Sequence, residues 1–223
     1  MSHTVHPYAH RLGILRDWKS RWFSVKRKYQ ENLKADILLR EYLEKKLRSF
    51  YVDSIEMERG QNTFKIIIKT ARPGMLIGRN GEGSTKLRND ILKELRRIKV
   101  SVPRDVKLEI EEVRAPETRA AIVAMMVAEG LEKRMPHKRV LKQTLEKAMA
   151  NKQVQGVKIA LSGRLGGADM GRSEFVKDGR IPLQTLRADV DFAREKAHLP
   201  YGDIGIKVWI YRGDIFKDDP KEN

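Results

Sequence analysis

The chain has 223 residues, 40% of them hydrophobic, with 46 Lys and Arg against 30 Asp and Glu. That length accommodates two modest domains with real cores, and a formal charge of +16 with a pI near 10.0 points to a polyanionic partner, nucleic acid before an acidic membrane surface. The longest uninterrupted apolar run, 120–128, is far too short to span a bilayer, residues 1–10 lack the apolar core of a signal peptide, and the absence of cysteine excludes disulfides and thiolate metal sites and is compatible with the cytosol.

Residues 1–16 read as a short polar arm. His3, His6 and His10 invite a metal site, but with no carboxylate or thiolate companion and no helix to fix them they are expected to be solvated. The next stretch is basic, with Trp18, Trp22, Phe23 and Tyr29 interleaved. Burial is the ordinary role of aromatics at near-helical spacing, and stacking on bases is the alternative. Between 33 and 48, Ile37, Leu38, Tyr42, Leu43 and Leu47 make one apolar stripe, which predicts an amphipathic helix. Residues 52–58 and 64–69 predict a hairpin turning at Arg59-Gly60-Gln61-Asn62.

The stretch Thr70-Ala71-Arg72-Pro73-Gly74-Met75-Leu76-Ile77-Gly78-Arg79-Asn80-Gly81-Glu82-Gly83 is predicted to turn sharply from that second strand into a basic helix. The helix is marked by Leu87, Ile91, Leu95 and Ile98 on one side and by Lys86, Arg88, Lys93, Arg96, Arg97 and Lys99 elsewhere. Met75, Leu76 and Ile77 are expected to pack inward. Two glycines three apart let a sugar-phosphate chain approach the backbone, and a following helix offers N–H groups to a phosphate. The spacing alone is weak, since it recurs at Gly163/Gly166 and Gly202/Gly205, but motif, context and charge agree on RNA. Candidate contacts are Arg72, Gly78, Arg79, Asn80, Gly81 and Lys86. After a break at Pro103, Val106, Leu108 and Ile110 alternate as a third strand, which completes a compact α+β unit over 17–114.

Residues 112–116 read as a hinge, with a second domain over 115–216. Ala120, Ala121, Val123, Ala124, Val127, Ala128 and Leu131 predict a largely buried helix over 117–133. Leu141, Leu145, Ala148 and Met149 predict another over 137–151. Lys138, Arg139 and Lys142 share one edge of that helix, in a stretch where cations far outnumber Glu132 and Glu146. A solvated face is the ordinary explanation, and the excess of one sign favours RNA.

The loop 162–172 is basic and glycine-rich. It is either a long hairpin connection or a loop whose arginines, Arg164 among them, reach RNA. Residues 175–176, 186–192 and 204–211 complete an antiparallel set, with Ala188, Val190 and Phe192 facing away from Arg187, Asp189 and Asp191. Asp189 and Asp191 are the only weak hint of an enzyme, a metal-dependent nuclease, and Arg187 and Arg194 stand close enough in sequence to pair with them instead. No catalytic residue, metal ligand or cofactor is otherwise suggested. The tail, 217–223, is expected to be disordered.

Several of these blocks, in this order, resemble the bacterial small-subunit ribosomal protein S-three family: Thr70-Ala71-Arg72-Pro73-Gly74, Ile77-Gly78-x-x-Gly81, Ser162-Gly163-Arg164-Leu165-Gly166-Gly167-Ala168, Leu186-Arg187-Ala188-Asp189 and Gly205-Ile206-Lys207-Val208-Trp209-Ile210. The resemblance spans about 12–216. It implies an α+β protein with an N-terminal type II KH domain and a C-terminal α+β domain, two helices on a mainly antiparallel sheet. It further implies a non-enzymatic cytoplasmic component of the small-subunit head that binds ribosomal RNA, needs no cofactor and no membrane, and lines the path of incoming messenger RNA. The positions matching that path are Lys138, Arg139 and Lys142. The implied neighbours are small-subunit proteins ten and fourteen, with four and five across the entrance. A free KH-type RNA-binding regulator is the blander alternative. Against the family pattern, Asn80 replaces a frequent basic residue in the turn and Gln143 replaces another after Lys142. Ser2-His3-Thr4-Val5-His6-Pro7 departs from the usual opening, and the tail is shorter and less basic than in many relatives.

Overall fold

A computed structural model describes residues 5–98 and 105–216. Lys99, the break at Pro103 and the tail 217–223 lie outside the described residues. The chain forms two units, Trp18–Arg114 on the one hand and Met1–Asp17 with Ala115–Asn223 on the other. The opening one-turn helix α1 (Pro7–His10) therefore belongs to the second unit.

The first unit runs β1 (Ser20–Arg21), α2 (Lys26–Lys46), β2 (Val52–Arg59), β3 (Thr63–Thr70), α3 (Pro73–Ile77), α4 (Glu82–Arg97) and β4 (Asp105–Glu112). Its sheet is ordered β1-β2-β3-β4, with β2 and β3 antiparallel and β4 parallel to β3. From α2 onward this is helix, strand, strand, two helices, strand, the order that the KH resemblance implies. Strict alternation makes β3: Phe64, Ile66 and Ile68 are fully buried, while Lys65 and Lys69 sit on the other face in ion pairs with Glu109 and Glu56. Leu87, Ile91 and Leu95 of α4 close over the buried face.

Two expectations fail here. The buried stripe of α2 is Ala35, Leu39 and Leu43, continued by Leu47, while Ile37 and Leu38 are exposed. The helix carries apolar residues on more than one side, and the unbroken four-residue spacing lies against the sheet. Of the four aromatics, Trp18, Phe23 and Tyr29 are exposed, Phe23 at 90%. Only Trp22 is drawn in, donating from Nε1 to buried Asp36 at 2.7 Å. Asp36 also receives Arg59 Nε at 2.9 Å, and that guanidinium lies 4.0 Å from the centre of the Phe64 ring.

The second unit adds α5 (Ala120–Glu132), α6 (His137–Met149), β5 (Gly156–Gly163), β6 (Arg172–Gly179), β7 (Ala188–Leu199) and β8 (Gly202–Asp214). The sheet is antiparallel throughout, ordered β6-β5-β8-β7. Both helices cover one face, packing Val123, Val127, Leu131, Leu141 and Leu145 on Val157, Ile159, Leu161, Ile204, Ile206, Val208 and Ile210. On the other face Ala188, Val190 and Phe192 gather with Trp209 and Tyr211, as the alternation predicts.

From residue 5 onward the opening segment is not a solvated arm. Arg11 is fully buried, and its guanidinium donates to five main-chain carbonyls, those of Pro7, Pro182, Leu183, Thr185 and Ala188, at 2.6–3.2 Å. The His6 ring stands edge-on to Phe192, centroids 4.7 Å apart. Arg16 reaches Asp189 at 2.6 Å, and Arg212 meets the other oxygen of that carboxylate at 3.0 Å. Composition hides this, because a guanidinium answered by carbonyls looks the same in sequence as one in water.

Two outcomes follow from this packing. Arg11→Met leaves several carbonyls without a donor and is expected to destabilise the protein by about 3 kcal/mol in urea denaturation. Burial alone would raise the Asp191 carboxyl, but the charges of Arg212 and Arg16 and the Ala120 N–H outweigh it and hold the group below its ordinary value. A carboxyl lowered on folding contributes stability that is complete above its ordinary range and is lost as pH falls through the lowered value. Asp191→Asn is therefore expected to flatten the acid side of the stability curve below about pH 5, with no change above it.

Candidate nucleic-acid interface

The turn between α3 and α4 is built by three glycines with different duties. Pro73, in the first turn of α3, starts a helix of one and a half turns, so the motif joins two helices and not a strand to a helix. So short a helix buries one side chain: Leu76 goes inward, while Met75 and Ile77, expected inside, are exposed. Gly78 then takes φ +70° with ψ −176°, a conformation essentially closed to residues with a Cβ. Gly81 follows at φ +79°.

Asn80 lies between them at φ +54°, in the left-handed region that Asn tolerates better than other side chains with a Cβ. This gives a backbone reason for Asn where a basic residue is frequent. Gly83, quoted in the motif but given no role from sequence, makes the closest approach: a Cβ there would lie 2.5 Å from the Leu76 carbonyl oxygen. The only signal for it in the sequence is a third glycine two positions after the pair.

The outcome is a protruding turn. Gly78, Arg79 and Asn80 are exposed, and Arg79 makes no ion pair among the described residues. No side chain caps α4, whose first turn holds Glu82. Beside the turn runs an open groove of about 410 Å³, lined by Asn80, Glu82, Thr85, Lys86, Asn89, Asp90 and Lys93. Its acid Asp90 is occupied: the Lys46 ammonium hydrogen-bonds to it and, with Lys93 and Lys86 nearby, holds its carboxyl below the ordinary value. Lys86 is exposed on the same wall. Arg72 stands at the start of α3 with its guanidinium 4.4 Å from the centre of the Tyr51 ring, so the ring steadies it at the foot of the motif.

The other candidates lie in the second unit. Lys138, Arg139 and Lys142 project from the exposed side of α6 while Val140, Leu141, Leu145 and Ala148 anchor the opposite side. No ion pair engages the three among the described residues. The first turn of α6 has no acidic residue, so Lys138 and Arg139 stand at the positive end of a helix dipole. Cations there are disfavoured by about 0.3–1 kcal/mol each until an anion arrives.

Arg164 is differently placed. Its guanidinium donates to the carbonyls of Ala168 and Tyr201 and meets Asp169 at 3.2 Å, tying the glycine loop to the β7–β8 turn. Asp189 and Asp191 are also engaged. Asp189 is held by Arg16 and Arg212, and Asp191 accepts the Ala120 N–H at 3.0 Å at the start of α5. Arg187, expected beside them, pairs with Asp214, and Arg194 lies over Phe192. Among the described residues no group of three or more His, Asp or Glu could hold a metal.

Comparison with known proteins agrees with this geometry. Residues 38–118 match the family described as KH domain, and residues 127–210 match Ribosomal protein S3, C-terminal domain. The chain is 44% identical over 215 residues to the Small ribosomal subunit protein uS3 of Caldicellulosiruptor saccharolyticus, covering 96% of this chain and 94% of that one. It is 45% identical to the proteins of the same name from Pseudomonas aeruginosa and Ectopseudomonas mendocina, covering 96% of this chain and 91% of each.

The glycines make a paired prediction. Gly83→Ala forces α3 and α4 apart and is expected to cost about 1–3 kcal/mol and to weaken RNA binding. Gly74→Ala, where nothing stands within 4 Å of the added carbon, is expected to be neutral in both. Urea denaturation and a filter-binding titration with ribosomal RNA check the contrast.

Proposed function

The chain belongs to the small ribosomal subunit protein uS3 family, and on that premise we propose that it is a structural, non-enzymatic constituent of the small subunit, working in the cytoplasm by holding RNA. The observation that carries the proposal is the turn Gly78-Arg79-Asn80-Gly81, exposed at its first three residues, between two helices and beside a groove lined by Lys86. Its chemistry is phosphate neutralisation plus close backbone approach, with little base readout. Residues 17–114 act as the KH domain and 115–216 as the ribosomal domain. Arg72 and the turn contact ribosomal RNA, whereas Arg164 serves that contact indirectly by shaping its loop.

Lys138, Arg139 and Lys142 work at the entrance for messenger RNA. Their clustering near the start of a helix whose own first turn holds no acid supports this, since a phosphate there relieves both the mutual repulsion and the opposed dipole; the nearby Glu174 is engaged by His137 and Arg172. Small-subunit proteins ten and fourteen are the proposed neighbours, with four and five near the entrance. The engagement of Asp189 and Asp191 in guanidinium and helix-start contacts supports a structural role for that pair over nuclease chemistry.

Three measurements decide these points. Tagged protein in lysate is expected to sediment with small subunits; recovery only as a free species would favour a KH-type regulator. Arg79→Asp with Asn80→Asp keeps every glycine and is expected to weaken ribosomal RNA binding by about tenfold or more, with an unchanged circular dichroism spectrum. Lys138→Ala with Arg139→Ala and Lys142→Ala is expected to leave subunit assembly intact and to slow translation of hairpin-containing messages; equal rates on structured and unstructured templates would remove the entrance role.

A further inference from the structure

The sheet face of the second unit opposite α5 and α6 is covered at one end, where the opening segment and residues 181–188 pack on Val190, Phe192 and Trp209, and is left open toward Phe175 and Lys207. Strand register lays out three rows across it: Lys177, Lys158, Trp209 and Phe192; then Phe175, Ala160, Lys207 and Arg194; then Ser173, Ser162, Gly205 and Lys196. None of these rows contains a carboxylate. Lys158 and Lys177 are direct cross-strand partners, and so are Lys207 and Arg194. Like charges set opposite each other in this way destabilise a sheet. The open face of the first unit is built differently, with Lys65 and Lys69 answered by Glu109 and Glu56.

Rings are interleaved with these cations. Phe175, on the edge strand β6, is 64% exposed. The Lys158 ammonium lies 5.0 Å from its ring centre and 5.1 Å from that of Trp209. Phe192 and Trp209 are 5.1 Å apart, and the Arg194 guanidinium stands 5.4 Å from Phe192. A flat ring left in water beside Lys158, Lys177 and Lys207, which no carboxylate pairs with among the described residues, fits a ligand that itself alternates flat rings with negative charge. An acidic protein surface would answer the lysines but has no particular use for the exposed ring.

We propose that this open face is a stacking platform for single-stranded RNA, with a base on Phe175 and with Lys158, Lys177, Lys207 and Arg194 neutralising the adjoining phosphates. The platform is separate in sequence from the Gly78–Gly81 turn and from the cationic edge of α6, and it shares with them only the class of ligand.

The test uses the whole protein and a fluorescein-labelled oligouridylate of about ten nucleotides, within the usual length for such platforms. Phe175→Leu is expected to weaken binding at least about fivefold, and Phe175→Trp to retain it. Lys177→Gln with Lys207→Gln is expected to lower the slope of log affinity against log salt by about 1.4, two phosphate contacts on a single strand. The same ring variant is placed in the Arg79→Asp, Asn80→Asp background. If Phe175→Leu changes nothing in either background while the turn variant weakens binding, the platform is refuted and the KH reading stands. If the turn variant is silent and Phe175→Leu weakens binding, the platform stands and the KH reading falls. A photo-activatable residue at 175 in assembled subunits is expected to cross-link to RNA; a cross-link to protein alone would make this face a protein interface and overturn the proposal.

Discussion

Arg11, Arg59 and Arg212 lie inside this protein, and oxygen answers each of them: main-chain carbonyls for the first, Asp36 for the second, Asp189 for the third. The requirement behind this is the formal charge of +16. A chain with so large an excess repels itself, and a cation taken out of water without a partner would cost it about 3–5 kcal/mol more. The acids that could have softened the surface are drawn toward particular guanidiniums. Asp36 joins α2 to β2, and Asp189 and Asp191 join the opening segment, β7, β8 and the start of α5. What remains outside is disproportionately positive.

The turn at Gly78 to Gly81 obeys a second constraint, which is spatial. Helix α4 begins so close to the end of α3 that Gly83 has no room for a Cβ, and this contact pushes the intervening residues outward. Arg79 and Asn80 are displayed by what lies beneath them. No side chain caps α4, so its first N–H groups are left to the turn itself.

Alternation and turn chemistry were legible from the sequence wherever one face of an element meets the core. Phe64, Ile66 and Ile68 of β3, Leu87, Ile91 and Leu95 of α4, and the two faces of β7 at 188–192 all read correctly. The reading failed where apolar residues occupy more than one side of a helix, as at Ile37 and Leu38, or where a short helix cannot bury all it carries, as at Met75 and Ile77. It also failed at Arg11 and Arg16, whose partners are far away in the chain. Within the candidate interface, the exposed glycine pair and the α6 edge were visible as motif and charge. The loop contacts of Arg164 and the close approach at Gly83 were not, because both involve main-chain carbonyls that carry no signature in the residue order.

The carbonyl cage of Arg11 reaches residues 171 to 177 positions later. During synthesis the unit Trp18–Arg114 has all its partners soon after Arg114 is joined, so it can close on its own. The opening segment cannot, and at about 5–20 residues per second it waits roughly ten to thirty seconds for residues 182–188. Throughout that interval Arg11 and Arg16 lack the partners at 182–189 that hold them in the folded unit. The second unit is thus completed only when the segment 7–16 meets residues 182–189, which makes its closure a late event and that of the unit Trp18–Arg114 an early one.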